Sequence, residues 1–216
     1  MLAELLALVA PPRCALCGRC CSARAQLCER CELRLSRLRP RMAVVPGLDC
    51  TWSAAPYDGA ARALVSALKF GRRPALAHRA ARAIATCAPP ELLVGVIVPV
   101  PPAPWRRRWR GFDPAEEIAA GLAAETGLTL SKCLRRSQGR RQVGRPRAER
   151  LGDPPRVRVM REPPNRALLV DDVLTTGATL GACAAALRAG GAERVAALTF
   201  ARSGYTTGVG GPARRA

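Results

Sequence analysis

Apolar positions along the chain fall into short unbroken runs separated by alanine-rich stretches with helical spacing. Leu92 to Val100, Arg166 to Val170 and Arg194 to Phe200 are apolar runs of strand length, which reads as strands buried on both faces. The stretches Ala60 to Phe70 and Pro74 to Cys87, broken at Gly71, read as helices. So does Asp113 to Thr126, where Pro114 suits a first helical turn, and Thr179 to Ala189, closed by Gly190-Gly191. Strands alternating with helices predict a parallel sheet covered by helices. Leu2 to Ala10 is too short to span a bilayer, lacks a basic leader and contains Glu4. It reads as a short amphipathic helix ended by Pro11-Pro12.

Composition adds charge to this picture. The 216 residues carry a net charge of +19, and only Lys69 and Lys132 among the 35 basic residues are lysines. Arginine grips phosphate bidentately, so the balance favours anionic partners: phosphates, nucleic acid or an acidic surface. No targeting segment is evident, which sets an expectation of a cytoplasmic protein with reduced cysteines.

The end of the second apolar run carries the most chemistry. Ala167 to Val170 predicts a buried strand, and Asp171 and Asp172 stand at its C-terminal edge. A small turn, Thr175-Thr176-Gly177-Ala178, then leads through Thr179 into a helix. Ligands of open α/β sheets bind outside the carboxyl ends of strands. A helix N-terminus with exposed amides favours phosphate, and the threonines can add hydroxyl donors. Adjacent acids can accept hydrogen bonds from a pair of sugar hydroxyls. Together these describe a ribose 5-phosphate site. The run Leu168-Leu169-Val170-Asp171-Asp172-Val173-Leu174-Thr175-Thr176-Gly177-Ala178-Thr179 resembles, at every position, the phosphoribosyl-pyrophosphate (PRPP) signature of type I phosphoribosyltransferases. The resemblance implies that Asp171 and Asp172 are the catalytic pair that holds the ribose hydroxyls. It also implies that Thr175 to Thr179 cradle the 5-phosphate and that Mg²⁺ enters with the pyrophosphate.

A second element precedes it. Ile97-Val98-Pro99-Val100-Pro101-Pro102 ends the first apolar run, and Trp105-Arg106-Arg107-Arg108-Trp109-Arg110-Gly111-Phe112 follows. The prolines can present rigid backbone to a ligand and the arginines can neutralise a pyrophosphate. A solvated cationic loop fits the residues equally well. The order Leu68-Lys69-Phe70, Val98-Pro99-Val100-Pro101, Arg110-Gly111-Phe112 and then the aspartate run resembles the ComF family (ComFC- and GntX-like proteins). It implies a type I phosphoribosyltransferase-like parallel sheet flanked by helices, with a small N-terminal zinc-binding module. It further implies that Pro99, Val100 and Pro101 form a pyrophosphate loop, and that Arg106, Arg108 and Arg110 belong to a flap over it. The family continues Arg-Gly-Phe with Asn-Gln where this chain has Asp113-Pro114. Gln142 and Arg150 match it, whereas Asp153 replaces its Asn. Lys69 reads either as a phosphate contact or as a solvated helix end. Arg135 to Arg161, with ten arginines and two acids, reads as a phosphate-seeking loop, a nucleic-acid contact or a solvated surface.

The N-terminal region holds six of the ten cysteines. Cys14-Ala15-Leu16-Cys17 and Cys28-Glu29-Arg30-Cys31 are two CxxC units ten residues apart, a spacing that suits one tetrahedral Zn²⁺. Cys20 or Cys21 could stand in for one ligand. With every position filled by protein, such a site is structural. Cys50, Cys87, Cys133 and Cys183 read as small core residues, and His78 has no evident chemical partner.

The expected organisation is an N-terminal helix and zinc-ribbon-like module over residues 1–45, a phosphoribosyltransferase-like domain over 46–203 and a disordered tail over 204–216. Two functions compete. One is a Mg²⁺-dependent transfer of a phosphoribosyl group from PRPP. The other is a non-enzymatic role as a single-stranded DNA-binding accessory of DNA uptake and competence, acting with proteins of the uptake machinery.

Overall fold

The computed structural model describes residues 12–22, 25–71, 73–103, 109, 111–137 and 155–204. The expected helix at Leu2 to Ala10, Arg106, Arg108 and Arg110 of the flap, Gln142, Arg150 and Asp153, and all of the tail beyond Gly204 lie outside them.

The chain is an α/β protein built on a five-stranded sheet. In chain order its strands are β1 (Arg41–Ala43), β2 (Cys50–Pro56), β3 (Val96–Pro99), β6 (Arg166–Leu174) and β7 (Arg194–Arg202). In space they run β1-β2-β7-β6-β3, with β1 antiparallel and all other pairs parallel. A separate antiparallel pair is formed by β4 (Leu134–Arg136) and β5 (Val157–Val159). The helices are α1 (Glu29–Leu35), α2 (Gly59–Lys69), α3 (Leu76–Cys87), α4 (Pro114–Thr126) and α5 (Ala178–Ala189). The described helices include none long and apolar enough to cross a membrane.

The two sheet faces are separately packed, as a parallel sheet requires. Leu168 and Val170 join Leu64 and Leu68 of α2, Ile84 of α3 and Ile118 and Leu122 of α4 in one core. Ala167 and Leu169 point the other way, into a core with Leu180, Cys183 and Leu187 of α5 and Leu134 of β4. Full burial of side chains of this size stabilises by about 1.5–3 kcal/mol each. The zinc-type module is not separate from this body: Cys14, Leu27, Cys31 and Leu35 belong to the first core, and Arg79 of α3 pairs with Glu32 of α1 at 2.7 Å.

The helices expected from spacing are present with ends shifted by one or two residues. Three strand expectations change. The Leu92 run yields a strand only from Val96, because Pro90–Leu92 makes a 3-10 turn. The strand from Arg166 extends through the aspartates to Leu174, four residues beyond the expected end, because β7 runs alongside it to Arg202. That strand in turn continues past Phe200 to Arg202. Cys133 and Cys183 are buried as expected, whereas Cys50 and Cys87 are only partly covered.

Candidate functional site

β3 and β6 end at different heights, and this difference opens the site. Their ladder stops at Pro99 opposite Val170, with a last bond from the Val100 amide to the Val170 carbonyl at 2.9 Å. On its other side β6 stays paired with β7 through Leu174. Asp171 and Asp172 therefore have a sheet partner on one side only. Because residues of a parallel strand direct their amide and carbonyl to alternate sides, the Asp172 amide faces the vacated β3 side. The Asp171 carboxylate accepts it, Oδ1 to N at 2.8 Å. The exit Pro99-Val100-Pro101 stands one strand spacing away, roughly 4.8 Å.

Strand alternation also divides the two acids. Asp172 continues the Leu168–Val170 face, toward α2, and is 6% exposed. Its Oδ2 is buried, and no described residue other than Lys69 is a polar partner for it. Its close polar neighbour is the Lys69 ammonium, 2.5 Å away, from the last residue of α2. Lys69 is thus not a solvated helix end. Its ammonium is held by Asp172.

Asp171 continues the α5 face, in register with Thr199 of β7, which is in register with Ser53 of β2. Thr199 and Ser53 are fully buried and joined at 2.7 Å. Thr199 donates to the Ala201 carbonyl, which leaves Ser53 as the donor to Thr199. Burial, and then the charge of Asp172, hold the Asp171 carboxyl well above the usual carboxylate range, with Asp113 adding to the effect.

After Leu174 the chain turns through Thr175 and Thr176 into α5. Gly177 is the N-cap with φ +79°, in the left-handed region. An added Cβ there would come within 3.0 Å of both Val45 methyl carbons. Glycine is required for the backbone conformation and for the close approach of Val45. Thr175 and Thr176 are exposed. Thr176 Oγ1 accepts weakly from the Ala178 amide at 3.4 Å, and the Thr179 and Leu180 amides donate to nothing among the described residues. Such an N-terminus carries partial positive charge and free donors, the requirements for a phosphate.

The structure thus brings together Asp171, Asp172, Lys69, Pro99, Val100, Pro101, Thr175, Thr176, Gly177, Ala178 and Thr179 at one sheet edge. It adds Asp113, which the sequence showed only as a departure from a family pattern. Asp113 is 7% exposed, caps α4 by accepting the Ala115 amide at 3.2 Å, and places a third carboxyl near Asp171. The signal available was Asp-Pro at a helix start. His78 pairs with Glu125 at 3.3 Å, joining α3 to α4 away from this edge.

The second candidate centre is the cysteine module. The Sγ atoms of Cys14, Cys17, Cys28 and Cys31 all lie within 4.8 Å of one another, and Cys17 to Cys28 is 3.6 Å. Tetrahedral Zn–S bonds of about 2.3 Å imply S···S edges of about 3.8 Å, so these four fit a zinc ion. Cys21 is turned away, donating to the Ala25 carbonyl at 3.2 Å, and Cys20 stays outside the group. The first CxxC turns back on itself through Gly18, closed by an antiparallel bridge between Arg13 and Cys20. The second is not on a ribbon strand: Cys28 is the N-cap of α1 and Cys31 lies in its first turn. Burial works against the Cys14 thiolate, but amides of Cys28, Cys17 and Leu16 outweigh it and lower the thiol to about 6. Burial pushes Cys31 upward.

No family model and no curated protein matches the chain. Among solved structures, it is similar to the allosteric regulatory enzyme of purine biosynthesis, at 21% identity and a TM-score of 0.37 over 56% of this chain. It is also similar to the glutamine PRPP amidotransferase of B. subtilis in complex with ADP and GMP, at 23% identity and a TM-score of 0.37 over 56% of this chain. The chain spans about a quarter of the length of these two proteins, 25% and 26%.

Proposed function

We propose that the protein binds PRPP, or a closely related phosphorylated ribose, at the edge where β3 and β6 part, and that it is a ComF-type phosphoribosyltransferase-like protein. One observation carries the reading. The signature run folds as a strand, a glycine-capped turn and a helix N-terminus, and its two aspartates stand beside the Pro99–Pro101 exit. In this reading Asp171 and Asp172 accept the ribose hydroxyls. The amides of Thr179 and Leu180, with the Thr175, Thr176 and Thr179 hydroxyls, hold the 5-phosphate. The Pro99–Pro101 exit faces the pyrophosphate, and Arg106, Arg108 and Arg110 neutralise it.

The reaction this arrangement serves is displacement at the ribose C1 carbon by an amine or base nitrogen, with the bond to pyrophosphate breaking and pyrophosphate leaving with the electron pair. Positioning and charge stabilisation supply the acceleration. Mg²⁺, when bound, spreads the negative charge of the leaving pyrophosphate. Among the described residues no third His, Cys, Asp or Glu groups with the two aspartates, and in this reading the ion arrives on the pyrophosphate. The cysteine quartet holds Zn²⁺ as a structural ion.

The net charge of +19 favours a second reading, in which the same edge serves single-stranded DNA in an uptake accessory. Calorimetric titration with PRPP and Mg²⁺ tests the first. Saturable binding is expected for the native protein and at least about tenfold weaker binding for Asp171→Ala combined with Asp172→Ala. Unchanged affinity in that variant contradicts the site. PRPP failing to compete with a DNA oligonucleotide that does bind separates the two readings.

A further inference from the structure

We propose that Lys69 is the specificity-determining residue of this site. It closes onto Asp172 when the site is empty, and it is released only by a ligand that brings both a sugar diol and a pyrophosphate. The inference rests on the ribose-phosphate reading above and adds the requirement that the two ligand halves act together.

The geometry points to this exchange. α2 begins just after β2 and ends on Asp172 of β6, two strands over. Its 11 residues span about 16 Å, enough to cross the roughly 10 Å between those strands. The helix therefore lays its last residue across the carboxyl edge of the sheet. There the Lys69 and Asp172 side chains are 19% and 9% exposed, and the ammonium stands 2.5 Å from a buried carboxylate oxygen that has no other polar partner among the described residues. A buried carboxylate without a partner is strongly unfavourable, so Asp172 holds the ammonium.

The choice of lysine also fits. Where nearly all basic residues are arginine, this position carries a compact point charge on a flexible four-carbon stem. Such a group can trade partners, whereas a guanidinium fork fixes one. A ribose hydroxyl donating to Asp172 replaces the ammonium but leaves it without an anion. A pyrophosphate at the Pro99–Pro101 exit offers the anion, but drawing Lys69 there leaves Asp172 bare. Only a ligand with both halves satisfies both charges.

The test compares ribose 5-phosphate with PRPP at fixed Mg²⁺ by calorimetry. In the native protein ribose 5-phosphate should bind more tightly when inorganic pyrophosphate is present, by a factor within the usual 5–150-fold range of coupling. Absence of that gain, or antagonism, overturns the exchange without any variant being made. In Lys69→Met, and in Lys69→Gln as the milder change, affinity for ribose 5-phosphate should hold or rise. The PRPP to ribose 5-phosphate affinity ratio should fall by about tenfold or more. Equal weakening of both ligands would mean that Lys69 only maintains structure, and an unchanged ratio would mean that it reads neither half; either result refutes the proposal. If the native protein binds neither ligand, the ribose-phosphate reading itself fails, an outcome distinct from binding without coupling.

Discussion

Replacing Gly177 by alanine perturbs the turn into α5 where Val45 packs against it. Two effects add. The residue has φ +79°, where an L-residue costs about 1–2 kcal/mol. Its new Cβ would also stand 3.0 Å from both Val45 methyl carbons. Val45 is buried at 6% exposure but lies in the loop after β1, so it can yield partly, and overpacking adds about 1–2 kcal/mol. The total of about 2–4 kcal/mol should lower Tm by roughly 5–15 °C in a chain of this size. Thermal unfolding followed by circular dichroism reads this directly. Val45→Ala made in the same chain removes the contact but not the strain, so the double variant should recover about 1 kcal/mol beyond additivity. PRPP affinity should fall at least about tenfold in both variants, because the N-terminal amides of α5 no longer face one point. A Gly177→Ala protein that melts within about 1 °C of the native one and binds PRPP normally would refute the reasoning.

Three further outcomes are expected. Asp171 has its carboxyl raised in the folded state, so the folded protein binds that proton more tightly than the unfolded chain. This contribution to stability is complete at low pH and is lost as pH rises from the unfolded carboxylate range through the raised value. Asp171→Asn should therefore raise Tm at neutral pH, by less as pH falls toward 4, while PRPP binding is lost; a Tm difference that does not change with pH contradicts the assignment. Purified reduced protein should carry about one zinc per chain by elemental analysis. Cys17→Ser should lose it and Cys20→Ser should keep it, and the reverse pattern would move the ligand set. Chelation should loosen α1 against α2 and α3, visible as faster amide exchange at Leu35 and Glu32; unchanged exchange on metal removal would show that the metal does not hold the module.

Local sequence made the signature turn legible because each of its demands is local: a buried strand, a residue free to take positive φ, and a helix start. The cysteine quartet was legible for the same reason, since CxxC spacing fixes which sulfurs can converge. The ends of β6 and β7 were not. Their length depends on mutual pairing as far as Leu174 and Arg202, and no local pattern states that a polar pair such as Asp171-Asp172 continues a strand. β2, with Thr51 and Ser53 in its middle, was missed because hydroxyls on a buried face break the apolar run. Ser53 finds its acceptor, Thr199, only across the sheet. The place of Lys69 was illegible for a different reason. Helical spacing gives the end of α2 but not its direction over the sheet edge, so a residue about one hundred positions from Asp172 could not be assigned to it. Asp113 read only as a departure from a family pattern; that it caps α4 and stands near Asp171 comes from where α4 starts.

The central claim concerns where a ribose phosphate sits. A crystal structure of the protein with PRPP and Mg²⁺ tests it most directly. The account predicts the 5-phosphate within hydrogen-bond distance of the Thr179 and Leu180 amides, ribose hydroxyls on Asp171 and Asp172, and the Lys69 ammonium withdrawn from Asp172 toward the pyrophosphate. PRPP density elsewhere on the protein, with the Lys69–Asp172 pair intact and the α5 N-terminus bare, would contradict it.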